Sequence, residues 1–162
     1  MQILHGIDPV FDRDSKLLIL GSFPSVRSRE EGFFYGNPQN RFWKVMAYLT
    51  ESPVPQGIAE KKQLLLRNRI ALWDTVAACE IAGSSDASIR NVVPNDLNRI
   101  LEMAPIRTIA ANGSLAARLY RKYQYPMTGI PAMALPSTSP ANASWPLERL
   151  EEAWSIIIPF FK

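Results

Sequence analysis

Two stretches of this sequence concentrate polar and aromatic side chains where the flanking pattern offers no regular element to absorb them. The first runs Gly21-Ser-Phe-Pro-Ser25 and then Phe33-Phe-Tyr-Gly-Asn-Pro-Gln-Asn-Arg-Phe-Trp43. Gly21 and Pro24 suit a rigid backbone turn close to a ligand, and Gly36 favours a turn that presents the ring of Tyr35. Asn37 and Asn40 flank Pro38 and set two uncharged amides at the start of a helix. Amides read a base edge or orient a water, and an aromatic ring stacks on a base. The plainer alternative is that Asn37 or Asn40 caps the helix and the aromatics fill the core. The second stretch, Leu135-Pro-Ser-Thr-Ser-Pro-Ala-Asn142, offers hydroxyls and backbone N–H groups suited to phosphate oxygens, or else an ordinary connection between strand and helix.

The elements that must position these residues follow from apolar periodicity. Lys16–Gly21 has the form of a buried parallel strand, and Ile70–Trp73, Arg107–Ala111 and Ala132–Leu135 repeat it. Helices are expected over Asn40–Leu49 (Phe42, Val45, Met46 and Leu49 inward), over Ile58–Arg69 with Leu64, Leu65 and Leu66 buried, and from Asn95, a candidate N-cap, through Leu101. Further helices are expected from Ser114 and over Leu147–Ile158, whereas Asp74 to Val93 reads as a long loop. Strands alternating with helices imply a three-layer α/β/α sandwich around a central four-stranded, mainly parallel sheet, residues 1–162 forming a single domain. Ligands of such sheets sit outside the carboxyl ends of the strands, which here are the segments after Leu20, Trp73, Ala111 and Leu135.

Composition narrows the classes. At 162 residues the chain suffices for one full core, and 47% hydrophobic with 20% charged residues is a globular balance. Its apolar runs are too short to span a bilayer, and the N-terminus lacks an export pattern, so a cytoplasmic location is expected. One cysteine, Cys79, and one histidine, His5, argue against a metal site or a histidine triad, and no cofactor is implied. The net charge of +3 permits a polyanionic partner without demanding one.

Taken together, the chain resembles the uracil-DNA glycosylase superfamily, and within it the hypoxanthine-DNA (deoxyinosine) glycosylases. The resemblance rests on Gly21-Ser-Phe-Pro-Ser25, Tyr35-Gly-Asn-Pro-Gln-Asn-Arg-Phe-Trp43, Ala71-Leu-Trp-Asp-Thr-Val76 and Leu135–Asn142, in that order. It implies that Gly21–Ser25 corresponds to the water-activating motif, with Ser22 and Phe23 beside the base. Relatives mostly carry Asp or Asn at the third motif position. Phe23 cannot activate water, which argues against strong uracil excision and requires a polar group from elsewhere. The resemblance assigns that role to Asn40 first and Asn37 second. It gives Tyr35 the stacking ring and Asp74 the reading of the base edge, where a carboxylate accepts the N1–H of hypoxanthine. Without the resemblance, Asp74 reads as a turn or N-cap residue. Ser137 falls where relatives place a residue facing the leaving base. Ser25, Ser137, Thr138, Ser139, Ala141 and Asn142 become the DNA contacts, although Ala141 and Asn142 are small for a duplex wedge.

The expected partner is DNA containing a deaminated base, engaged by a monomer that hydrolyses the N-glycosidic bond without a lyase step. Alternatives are a uracil, mismatch-type or broad-specificity glycosylase, an enzyme acting on free nucleosides, and a non-catalytic module that recognises damaged DNA. Free-nucleoside hydrolysis calls for a carboxylate cluster or metal site to grip ribose, and no such cluster is evident.

Overall fold

The computed structural model describes residues 1–81 and 89–162. Its centre is a sheet of four parallel strands, β2 (Leu17–Gly21), β3 (Ile70–Asp74), β6 (Thr108–Asn112) and β7 (Ala132–Leu135), in the order β3-β2-β6-β7. All residues of β2 and β3 are buried, so both faces of these strands are covered, as continuous apolar runs demand of a parallel sheet. The flanking helices follow the expected positions. They are α2 (Phe42–Leu49), α3 (Gly57–Arg67), α5 (Ser114–Tyr123) and α7 (Leu147–Trp154), with the short α1 (Val26–Glu31), α4 (Asn98–Leu101), α6 (Tyr125–Thr128) and α8 (Ile158–Phe161) between and after them. The expected α/β architecture with a central parallel sheet is the one found.

Several expectations are corrected. The segment from Asp74 to Val93 is not a long loop: β4 (Val76–Glu80) pairs antiparallel with β5 (Arg90–Pro94) and with β1 (Ile3–Leu4), forming a second, three-stranded sheet. Residues 82–88 of that stretch lie outside the described residues. Val76, Ala78 and Cys79 point inward without strict alternation, because register shifts interrupt the β4–β5 ladder; the period-2 signal was therefore weak. Asn95 caps nothing. It is buried and its Nδ2 donates to Asp74 O at 2.9 Å and Val76 O at 3.2 Å, while Asp96 Oδ1 accepts from Asn98 N at 3.0 Å. Leu66 is only partly buried, and the closing helix gives way at Ser155–Ile157 to a 3-10 turn before α8.

Strand order matters for function. From β2 the chain returns on one side to β3, and β6 then lies on the other side of β2, so the topology reverses between β2 and β6. At such a reversal the loops leaving adjacent strands diverge and open a crevice at the carboxyl edge. Registers of Gly21 with Asp74 and of Leu20 with Ala111 bring Gly21, Asp74 and Asn112 to that edge at one level. Buried indoles anchor the surrounding loops: Trp43 Nε1 donates to Phe34 O at 3.3 Å, Trp73 Nε1 to Ile7 O at 3.2 Å and Trp154 Nε1 to Pro136 O at 2.9 Å.

Candidate active site

A cleft of about 420 Å³ opens at this reversal, lined by the turn after β2, the Tyr35–Asn40 loop, Asp74, the start of α5 and the loop after β7. Its floor is the level edge of the sheet. Only glycine at position 21 leaves both neighbouring side chains where they stand: a Cβ there would lie 2.3 Å from Asp74 Oδ1 and 2.8 Å from Tyr35 Oη. The main chain thus lets a carboxylate and a phenol approach the same point of the cleft wall.

Asp74 ends β3 and is 3% exposed. A buried carboxylate needs a partner, and it has one in His5, whose Nε2 lies 2.7 Å from Asp74 Oδ2. The tautomer follows from the other ring nitrogen. Ile7 N donates to His5 Nδ1 at 3.1 Å, and an amide N–H can only donate, so Nδ1 carries no proton and Nε2–H is the donor to Asp74. Among the described residues Asp74 Oδ1 accepts no hydrogen bond and remains available on the cleft side.

Tyr35 adopts a left-handed backbone with φ of 53°, rare for a residue with a ring, and this turn directs the side chain to the cleft. One ring face stacks on Phe42, with centroids 4.1 Å apart and planes 22° from parallel. Burial first, and the Asp74 carboxylate second, hold the Tyr35 hydroxyl far above the ordinary tyrosine value, against a hydrogen bond from Asn112 that acts in the opposite sense. The phenol is therefore a donor, never a phenolate, across the working range of pH.

Asn112, at the end of β6, ties the two loops together. Its Nδ2 donates to Tyr35 Oη at 3.1 Å and to Thr138 Oγ1 at 3.0 Å, and its Oδ1 accepts from Thr138 N at 3.1 Å. Thr138 passes the connection on: its hydroxyl donates to Asn40 Oδ1 at 2.8 Å, which also accepts from Phe42 N at 2.9 Å. With two donors on Oδ1, the orientation of the Asn40 amide is fixed. Its carbonyl receives the first N–H of α2, and the residue also lines the site. Asn37 also lines it, but its Oδ1 accepts from Gln39 N at 2.9 Å in a surface turn.

The remaining expected residues gather around the same opening. Ser22, Phe23, Ser25, Ser137, Thr138, Ser139 and Ala141 all line the cleft, and Asn142 closes the loop behind them by donating from Nδ2 to Ser137 O at 3.0 Å. Ser25 Oγ caps α1, accepting from Ser28 N at 3.1 Å. Thr138 is wholly buried with hydroxyl and amide both engaged, whereas Ser137 Oγ and Ser139 Oγ accept from Ser139 N and Ala141 N. Phe23 packs edge-on to His5 at 6.0 Å and lies under the Arg29 guanidinium at 5.4 Å.

Sequence reasoning passed over three residues. His5 stands alone near the start of the sequence; the short β1 pairing and the bond from its own backbone N to Ala77 O bring it to Asp74. Asn112 is not singled out by the sequence, although its place at a strand end on the carboxyl edge marks it. Arg41 was not singled out, yet its guanidinium holds the last loop by donating to Thr138 O at 3.3 Å, Ser139 O at 2.8 Å, Asn142 O at 3.2 Å and Trp145 O. A single arginine beside a polar loop carries no sequence signal for such a role.

Comparison with known proteins agrees with this geometry. Residues 9–157 match the family model described as the uracil DNA glycosylase superfamily. A protein of Methanosarcina acetivorans named hypoxanthine DNA glycosylase is 36% identical over 157 residues, covering 96% of this chain and 98% of its own. A namesake from Methanosarcina barkeri is 33% identical over 112 residues, covering 67% of this chain and 70% of its own. The solution structure of a candidate uracil DNA glycosylase from Methanosarcina acetivorans superposes with a TM-score of 0.80 at 35% identity, covering 98% of this chain and 97% of that one. With nearly the whole chain matched, this protein belongs to the uracil DNA glycosylase superfamily and is a DNA glycosylase, a hydrolase of N-glycosyl bonds.

Proposed function

We propose that this protein rotates a deaminated base out of duplex DNA into the cleft and hydrolyses its N-glycosidic bond, with hypoxanthine the preferred base. The observation that carries the substrate is Asp74: a buried carboxylate, supplied with a donor on Oδ2 and leaving Oδ1 as a bare acceptor at the sheet edge. Deamination converts the N1 lone pair of adenine into the N1–H of hypoxanthine. A fixed acceptor welcomes the second and repels the first, and a site built to hydrogen-bond an N–H discriminates strongly against an analogue lacking it. The names of the Methanosarcina relatives favour the same substrate.

The roles follow. Tyr35, backed by Phe42, offers its remaining ring face to the base, with Ser22, Phe23 and Ser137 around it. Asp74 acts before bond cleavage: its contact to N1–H raises the fraction of base held in the cleft, and so the observed rate of excision, but gains nothing as the purine becomes anionic. Cleavage sends the C1′–N9 electron pair onto the purine, and the sugar becomes a cation stabilised by the neighbouring DNA phosphates. Water then adds its oxygen to C1′, and its proton ends on the departed base. Asn40 orients that water through Nδ2, since its Oδ1 already accepts two hydrogen bonds; it has no useful basicity, so it contributes position. Asn37 stands second because its carbonyl is committed to a surface turn. The lip formed by Ser25, Ser137, Ser139, Ala141 and Asn142 meets the phosphates together with Arg29, the one cation lining the cleft among the described residues. All these groups come from one chain, so a monomer suffices.

The test is strand scission. Purified protein is incubated with labelled duplexes carrying one hypoxanthine, xanthine or uracil, and abasic sites are cleaved with alkali. Fastest scission at hypoxanthine is expected. Uracil also presents an N–H beside a carbonyl, so Asp74 supports a broader deaminated-base reading, which equal rates on all three duplexes would establish instead. Retained DNA binding without scission at any base would leave a damage-recognition module.

A further inference from the structure

His5 takes no part in the reaction described so far, yet it is buried among aromatic rings and hydrogen-bonded at both ring nitrogens. It is 5% exposed. Its ring is caged by Phe23 and Trp73, edge-on at 6.0 and 6.4 Å, and by Phe34, tilted at 6.0 Å. Its backbone N donates to Ala77 O at 2.8 Å, its Nδ1 accepts from Ile7 N, and its Nε2 reaches Asp74 Oδ2. A histidine serving only to fill space needs none of these directed bonds.

We propose that His5 is a positioning residue for base recognition: its Nε2–H occupies one oxygen of Asp74 and thereby fixes the other as the acceptor that meets the base edge. This rests on the reading of Asp74 as the base-edge residue. Two features make the arrangement effective. Backbone donation to Nδ1 selects the tautomer whose proton sits on Nε2, aimed at Asp74. The aromatic cage blocks ring rotation, so Asp74 cannot turn about its Cβ–Cγ bond without abandoning its donor. Phe23 thereby gains a second meaning, as a wall of the cage that holds the donor to Asp74. Among the described residues, the titratable ones lining the cleft are Asp74, Tyr35 of the first loop and Arg29 of α1, with His5 behind Asp74 on the N-terminal segment.

The experiment compares His5→Leu, His5→Gln and Asp74→Asn with the unaltered protein. Single-turnover excision of hypoxanthine is measured beside affinity for a duplex with a stable abasic-site analogue, which has no base to read, and beside thermal unfolding. Removing the donor in His5→Leu is expected to slow excision ten- to a hundredfold while abasic-site affinity stays within about threefold. His5→Gln, whose amide can still donate to Oδ2, is expected to recover most of the rate. If Asp74→Asn excises at the unaltered rate, the base-edge reading itself fails. If Asp74→Asn is slow but His5→Leu is not, the role of His5 alone fails. If His5→Leu and His5→Gln lose abasic-site affinity and thermal stability as much as excision, His5 is structural and the proposal is overturned.

Discussion

Replacing Gly21 by alanine adds a single methyl group, and the structure states where it goes. It would stand 2.3 Å from Asp74 Oδ1 and 2.8 Å from Tyr35 Oη, roughly 1 Å inside van der Waals contact with the carboxylate. Gly21 does not occupy the left-handed region, so alanine brings no backbone strain of its own. The clash must therefore be relieved by the two side chains, neither of which is free. Asp74 moves only by stretching its bond to His5, and Tyr35 only by leaving Phe42 and Asn112. A displacement of about 1 Å in a positioned group costs on the order of a hundredfold in rate, or about 2.7 kcal/mol of transition-state stabilisation. The fold should hardly notice, since the lost unfolded-chain entropy favours alanine by about 0.4–1 kcal/mol and offsets part of the local repulsion. Single-turnover excision on a hypoxanthine duplex, run beside a thermal melt, separates the two effects. Excision within about twofold of the unaltered protein, at an unchanged melting temperature, would refute the placement of Asp74 Oδ1 and Tyr35 Oη in the reacting cleft.

Asn40→Ala should reduce excision by on the order of a hundredfold and Asn37→Ala by less than about tenfold, measured on the same duplex; the reverse ranking would exchange their roles. Asn112→Ala removes three hydrogen bonds joining both loops to the sheet edge, and should cost about 2 kcal/mol in denaturant unfolding as well as activity. Arg41→Lys keeps the charge but cannot serve several carbonyls in one plane; a melting temperature lower by roughly 5 °C and weaker duplex affinity are expected, read by calorimetry and fluorescence anisotropy. The Tyr35 proton is held more tightly in the folded chain than in the unfolded one, so this group's contribution to stability is intact below the ordinary tyrosine value and declines as pH rises beyond it. Tyr35→Phe should flatten that alkaline decline in unfolding experiments, with Tyr120, whose hydroxyl is also raised by burial, supplying a remainder of the same sign.

The parallel strands were legible because Leu17–Leu20, Ile70–Trp73, Ile109–Ala111 and Ala132–Leu135 are apolar at every position, as burial on both faces requires of β2 and β3. The edge loops were legible because their residue types serve neither helix nor strand. The antiparallel sheet was not, since β1 is two residues long and β5 is largely exposed, leaving little pattern to read. Asn40 and Tyr35 could be singled out from composition, but the chain from Asn112 through Thr138 to Asn40 could not, because its members are distant in sequence and meet only at the sheet edge. His5 shows the limit most sharply. A lone histidine near a terminus carries no periodic or spacing signal, and its importance lies entirely in what folding places beside it.

The bonds that build the cleft also say something about how it must come into being. His5 and Asp74 are 69 residues apart, Tyr35 and Asn112 77, Asn40 and Thr138 98, and Arg41 reaches the carbonyl of Trp145 across 104. β2, the central strand, cannot complete its pairing until β6 has been made. Contacts of such range incur their loop-closure entropy before any of them is rewarded, which makes folding slow relative to helical proteins and leaves no stretch of chain able to assemble the site by itself. The geometry of the cleft is thus a late and collective product of folding. A chain synthesised only as far as the first loop lacks Asn112, Thr138 and Trp145, so the cleft cannot assemble on a nascent chain until most of it has been made.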